Sequence, residues 1–120
     1  MNIKYHLLCG VALDCTVTKF PIGMISSVIP DVPLIANEIR LIKNKKKFDD
    51  NDLSELVMRC YFATHSMLIL PFLLIAAPNY VSGYALHILT DLFTHTGRFT
   101  ARPFFPLIDW RFPWGRNILK

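Results

Sequence analysis

The stretch from Tyr80 to Thr96, YVSGYALHILTDLFTHT, constrains this chain more than any other. Read as a helix, it places Gly83, His87, Thr90, Asp91, Thr94 and His95 at steps of three and four, in one narrow stripe. Val81, Tyr84, Leu86, Ile88, Leu89, Leu92 and Phe93 cover the remaining surface. A helix this apolar is expected to be buried in protein or lipid, with its stripe facing inward as well. A solvated face would carry Lys, Glu or Arg, whereas this one offers imidazole, carboxylate, hydroxyl and a glycine that permits close approach. His87 and Asp91 lie one turn apart on the same side. That geometry lets one helix give a metal two ligands, and it equally suits a buried His–Asp hydrogen bond that only fixes packing.

The 120 residues allow one domain, 1–120, with a modest core. Hydrophobic residues make up 52% and charged ones 18%, with a mean hydropathy of +0.35. Typical soluble domains have about 45–50% and about 25%, so the balance leans towards a membrane. A net charge of +4 and a pI near 9.1 suit an anionic partner, which charge alone leaves open between a lipid surface, a phosphate substrate and nucleic acid. Cys9, Cys15 and Cys60 are odd in number and lack CxxC spacing, so they read as reduced thiols in a core. No signal peptide is expected, because the apolar run after Lys4 is short and interrupted by His6 and Asp14.

In chain order, Tyr5 to Phe20 reads as a first helix, ended by Pro21 and Gly23. The prolines of Pro30-Asp31-Val32-Pro33 disfavour helix across that tetrapeptide and let a new helix start near Pro33. Asp31 thus sits at a helix mouth, where the ordinary role of an aspartate is a cap. RLIKNKKKFDDND, from Arg40 to Asp52, is an exposed connector and also carries the Lys-rich signature of a cytoplasmic loop. Asp52 and Glu55 form a capping pair for a third helix, which runs through LSELVMRCYFATHSMLIL to Pro71. His65 shares a face of it with Tyr61 and Leu68. Tyr61 to Ala77 contains no Lys, Arg, Asp or Glu and approaches the ~17 residues needed to span a bilayer. An ionisable His65 in that setting is a functional suspect by default.

Gly97 is a natural stop for the central helix, and the helix dipole gives His95 in the last turn a purely structural explanation. The tail mixes arginines with Phe99, Phe104, Phe105, Trp110, Phe112 and Trp114. It suits an interfacial belt or a lid that touches phosphate, or, less well, a surface that stacks on single-stranded nucleic acid. The polar residues stranded in apolar sequence are then His6, Asp14, Asp31, His65, His87, Asp91 and His95. Burying them unpaired would cost several kcal/mol each, so they are expected to converge on a cation or on one another.

The segments SSVIPDVP, ATHSMLILP and GYALHILTDLFTHTGRFTARPFFPLIDWRF resemble the signature blocks of the membrane-bound, predicted metal-dependent hydrolases of the LexA-binding inner-membrane type. The shared pattern is a Pro-Asp at an early helix start, a Thr-His-Ser, and a His-x-x-x-Asp before a tail rich in proline and aromatics. His6 before Gly10 also fits. Where that family commonly has a His-Arg pair ahead of Thr-His-Ser, this chain has Cys60-Tyr61. By the family's likeness to zinc-dependent phospholipase C and single-strand nucleases, the resemblance implies metal binding by Asp31, His65, His87 and Asp91. It also implies that His6 helps to hold a second ion bridged by Asp91.

The expectation is therefore an all-α, membrane-associated bundle of about four helices with an irregular Pro- and aromatic-rich tail. It would hold a divalent metal, zinc by preference, and hydrolyse a phosphoester. Arg98 and Arg102 are the candidate phosphate contacts. The expected site is the inner or cytoplasmic membrane, with Lys43 to Lys47 and the tail on the cytoplasmic side, and no obligate protein partner is inferred. The alternative is a non-catalytic membrane protein whose His and Asp groups form a structural or transport-type polar seam.

Overall fold

The structure, a computed structural model, describes residues 3–16, 19–44 and 53–113. Among the described residues all regular structure is helical. Four helices have ten residues or more: α1 (Ile3–Thr16), α3 (Val32–Lys43), α4 (Glu55–Thr64) and α6 (Val81–Thr94). Two short ones, α2 (Ile22–Ser26) and α5 (Leu70–Ala76), were not expected from the sequence, and the first leads to the Ser27 carbonyl at the site. The tail from residue 100 to 113 is irregular, as expected.

Among the described residues α1 covers Ile3–Thr16, and Lys19 and Phe20, which the expected first helix reached, are not helical. The Thr16 hydroxyl donates back to the Ala12 carbonyl, one turn earlier in the same helix, at 2.8 Å. Near the end of α1, Asp14 reaches across to α2 and accepts from the backbone N–H groups of Gly23 and Met24 at 2.6 and 3.1 Å. Asp14 is thereby accounted for structurally, as the partner of two amides that a helix start leaves unbonded.

α2 is pressed between α1 and α6 at two glycines. A Cβ on Gly10 would lie 2.5 Å from Ser27 Oγ and 2.6 Å from Met24 Cα, and one on Gly83 would lie 1.9 Å from Ser26 Oγ. Ser26 and Ser27 are buried there, with hydroxyls bonded back to Gly23 and Met24 carbonyls.

The two prolines do not keep the chain from turning helically. A 3-10 turn, Ile29–Asp31, runs directly into α3, with Pro30 and Pro33 in the opening turns where a missing N–H costs nothing. α4 is capped by Ser54, whose hydroxyl accepts from the Val57 N–H, and not by the expected Asp52–Glu55 pair. Asp52, like residues 45–51 of the basic connector and Trp114, lies outside the described residues.

The third helix was expected to continue to Pro71, but it breaks at His65 and Ser66, so Tyr61 to Ala77 is not one straight segment. Glu55–Thr64 and Met67–Ala76 meet at 55°. The tail fixes the break: Pro103 O accepts from the Met67 N–H at 2.8 Å and from Ser66 Oγ at 3.0 Å. Ser66 also caps the following turn, and Pro71 sits harmlessly in the first turn of α5.

The hydrophobic core contains Leu53, Met58, Tyr61 and Phe62, with Leu34, Val57, Phe99 and Phe105 packed around it. The cysteines are free, yet Cys15 and Cys60 are exposed rather than in the core, because they fall on the outward faces of α1 and α4. The stretch Ile22–Lys43 is long and apolar enough to cross a membrane, and the bent α4–α5 pair qualifies only if taken as one span. Core helices of soluble proteins meet the same measure. Large apolar side chains do stand in the open, Phe72, Leu74 and Ile75 of α5 among them.

Candidate metal centre

Four elements deliver five side chains to one point. α1 brings His6, the 3-10 turn brings Asp31, the end of α4 brings His65, and α6 brings His87 and Asp91. The α6 stripe faces inward as its spacing predicts, with Gly83, His87 and Asp91 buried. Its opposite face is not wholly covered, since Leu89 and Phe93 are about half exposed. Asp31 occupies the cap position of α3 without capping it, and its carboxylate turns towards the histidines instead.

The histidine nitrogens are sorted by the backbone. His65 Nδ1 lies 2.8 Å from the Tyr61 carbonyl, and His87 Nδ1 lies 2.6 Å from the Ser27 carbonyl. A carbonyl can only accept, so each Nδ1 carries a proton and donates it, and in the neutral ring Nε2 is a bare lone pair. Those two Nε2 atoms face each other at 2.9 Å. Asp91 Oδ2 lies 3.2 Å from both, and Asp31 Oδ1 lies 3.5 Å from His65 and 3.7 Å from His87. His6 stacks on the His87 ring at 3.7 Å between centroids, with its Nε2 3.4 Å from Asp91 Oδ1 and 3.7 Å from Asp31 Oδ2.

Electron pairs thus converge where positive charge is needed. Both nitrogens of His6 and both carboxylate oxygens of Asp91 are buried without a hydrogen-bond partner among the described residues. Such orphaned groups cost free energy unless a cation meets them. In the metal-free chain a proton takes this part. Burial pulls the His65 imidazole down, but Asp31 and Asp91 outweigh it and hold it up to about 9. Burial likewise pushes Asp91 up, and the four surrounding histidines reverse this and hold it well below the usual carboxylate range. Asp31 is lowered in the same way by His65, His87 and His6. His6 goes down instead, because burial and the neighbouring His87 prevail over Asp91 and Asp31.

The donor set of imidazole nitrogens and carboxylate oxygens, converging with bare lone pairs, fits a divalent metal. His6, Asp31, His87 and Asp91 each offer one ligand atom within 4.8 Å of the others. Each ring orientation of His65 and His87 is fixed by a carbonyl on its other nitrogen, the usual support of a metal-ligating histidine. No residue pattern marks these supports in the sequence, because Ser27 and Tyr61 contribute backbone atoms. Further fixing comes from the Tyr84 hydroxyl, which donates to the Thr64 carbonyl at 2.6 Å, and the Thr64 hydroxyl, 2.7 Å from the Pro30 carbonyl.

His95 lies beside the cluster, its Nδ1 3.2 Å from Asp91 Oδ1. Arg98 and Arg102 are engaged elsewhere. Arg98 donates to the Leu53 carbonyl at 2.7 Å, while Arg102 pairs with Asp109 and lies over the Phe62 ring. Both line a groove with Arg59, Met58 and Phe105, outside the cluster.

The fold and site define a small all-α protein with a buried three-histidine, two-carboxylate cluster. Compared with protein-family models, curated proteins and solved structures, the chain matches none.

Proposed function

We propose that this protein is a membrane-associated metal-dependent hydrolase acting on a phosphoester. The observation that carries the reading is the pair of Nε2 atoms of His65 and His87, 2.9 Å apart and flanked by oxygens of Asp31 and Asp91. His65, His87, Asp31 and Asp91 would hold the ion, with zinc favoured by the mixture of nitrogen and oxygen donors. A divalent ion bound there supplies Lewis acidity towards a phosphoryl oxygen and lowers the pKa of water. The protein's own part is to keep the rings oriented through Ser27 and Tyr61, to balance the charge with two carboxylates, and to exclude bulk water from all but one side. Asp31 and His95 are the members that keep some exposure, 13% and 17%, and substrate would approach past them. Arg98 and Arg102 would contact an acidic part of the substrate through the groove they line.

The membrane part of the reading is supported by the open apolar side chains of α5 and by the basic residues Arg40 and Lys43 at the end of α3. The basic connector and the arginine-bearing tail would face the cytoplasm.

Metal analysis of the purified protein, joined to turnover of bis(p-nitrophenyl) phosphate, tests the proposal. Bound zinc and a hydrolysis rate that both vanish on chelation and in His87→Ala are expected. A wild-type protein that retains no zinc at saturation would overturn it and leave the polar-seam reading in its place.

A further inference from the structure

Glu55, Met58, Arg59 and Phe62 follow at steps of three and four along one face of α4, and that face opens on a groove of about 450 Å³. The volume is that of a small-molecule site. No residue of the His and Asp cluster lines it, and Tyr61, beside Phe62 in sequence, stacks on His65 instead.

Arg102 is the charged residue of the groove that is not exposed. Its side chain is 16% exposed, its guanidinium lies 4.1 Å over the Phe62 ring, and its Nε is buried with no hydrogen-bond partner among the described residues. Phe62 covers a face of the guanidinium and leaves its edges, where the N–H donors point. At those edges Asp109 makes a single contact, Oδ1 to Nη1. A guanidinium can hold an oxyanion through two parallel donors, so one contact leaves the fork under-used. Asp109 is also 63% exposed, and an ion pair so open to water resists a competitor weakly.

We propose that this groove binds a phosphate monoester carried on an apolar body, and that Asp109 is a stand-in which the phosphate displaces from Arg102. The inference extends the role given above to Arg98 and Arg102 but asks nothing of the metal, so each reading can fail alone. With Asp109 in place, three arginines face two carboxylates, a net charge of plus one; with Asp109 withdrawn, the groove stands at plus two. A phosphomonoester dianion matches that charge better than a carboxylate or a phosphodiester, each of which carries one charge. Arg98 is held in position by the Leu53 carbonyl at 2.7 Å, and Met58 and Phe105 give the organic part of the ester an apolar wall. Withdrawing Asp109 disturbs little else. Pro103 anchors the tail to Ser66 and Met67, and the Phe112 N–H bonds the Ala101 carbonyl at 3.0 Å, so residues 104–111 form a loop closed at its base.

Calorimetric titration of the chelated protein with phenyl phosphate tests the proposal, with inorganic phosphate and phenylacetate as comparators. It is repeated in Arg102→Lys, Asp109→Asn and Glu55→Gln, with helicity checked in each. Saturable binding is expected, tightest for phenyl phosphate. Arg102→Lys keeps the charge but loses the fork, and should weaken binding about 10-fold or more. Asp109→Asn removes the internal competitor and should tighten binding about 2–5-fold, whereas Glu55→Gln removes the same charge without releasing Arg102 and should change it less. No binding, phenyl phosphate no tighter than either comparator, unchanged affinity in Arg102→Lys, or Asp109→Asn no tighter than Glu55→Gln would each overturn the proposal. The expected pattern in a protein that takes up no zinc would uphold it while overturning the metal reading. Competition by vesicles containing phosphatidic acid would uphold it with the ester on a lipid, and the expected pattern without such competition would uphold it with a soluble ester.

Discussion

The Nε2 atoms of His65 and His87 face each other at 2.9 Å, while the other nitrogen of each ring is bonded to a backbone carbonyl. The two residues stand 22 positions apart in sequence, one at the end of α4 and the other in the middle of α6.

Asp91→Asn preserves size and most hydrogen-bonding capacity but removes the charge shared by every histidine of the cluster. The variant is expected to fold near neutral pH, since His65 can release its proton, and to bind zinc more than ~100-fold more weakly, beyond the usual loss for an outer-shell change. Adding His87→Ala should worsen this little, because the two residues act on one ion. Competition titration with a zinc chelator reads both effects, and wild-type affinity in Asp91→Asn would remove α6 from the metal site.

The metal-free chain should be most stable near pH 6.5. His65 is raised in the folded state to about 9 from 6.5, so its contribution is complete below 6.5 and is lost as pH rises through 9, by at most about 3 kcal/mol. On the acid side, His6 is lowered and resists protonation, so folding loses stability as pH falls below 6.5, and the lowered Asp31 and Asp91 add a further loss below about 4. Zinc competes with the His65 proton, and its affinity should therefore rise between pH 6.5 and 9. Urea titrations across this range, with and without zinc, check the two limbs. Alkaline stability that does not fall in the chelated protein would contradict the account.

Gly83→Ala tests the clamp on α2. The new methyl would meet Ser26 Oγ at 1.9 Å and Ser26 Cβ at 2.9 Å. Overpacking of this kind costs about 1–3 kcal/mol or more, against a gain of up to ~1 in helix propensity, so a net loss near ~2 kcal/mol is expected by thermal denaturation. Ser26→Ala in the same chain should restore part of it by removing the nearer contact. Because α2 leads to the Ser27 carbonyl that holds His87, zinc affinity should drop as well.

Phe72 and Ile75 of α5 are 70% and 85% exposed. If they enter a lipid surface, each is worth about 1.5–3 kcal/mol, and replacing both by Glu should weaken binding to anionic vesicles by roughly 100-fold or more while helicity stays unchanged. Sedimentation with vesicles measures the shift. A wild-type chain that stays wholly in the supernatant would end the membrane reading.

Much of this protein can be read in residue order because its decisive pattern is local. Steps of three and four put Gly83, His87 and Asp91 on one face of α6, and their residue types announced a polar interior within an apolar helix. The stranded His6, Asp31 and His65 were visible for the same reason, as groups too costly to bury alone. Helix ends were less legible: the break at Ser66 depends on Pro103, 37 positions away in sequence. Only the tertiary structure decided that Asp14 serves α2, that Asp31 faces histidines instead of capping α3, and that Arg102 is paired with Asp109. It also decided which lone pairs are bare. That depends on where the carbonyls of Ser27 and Tyr61 lie, and a backbone carbonyl, identical in every residue, leaves no mark in the sequence.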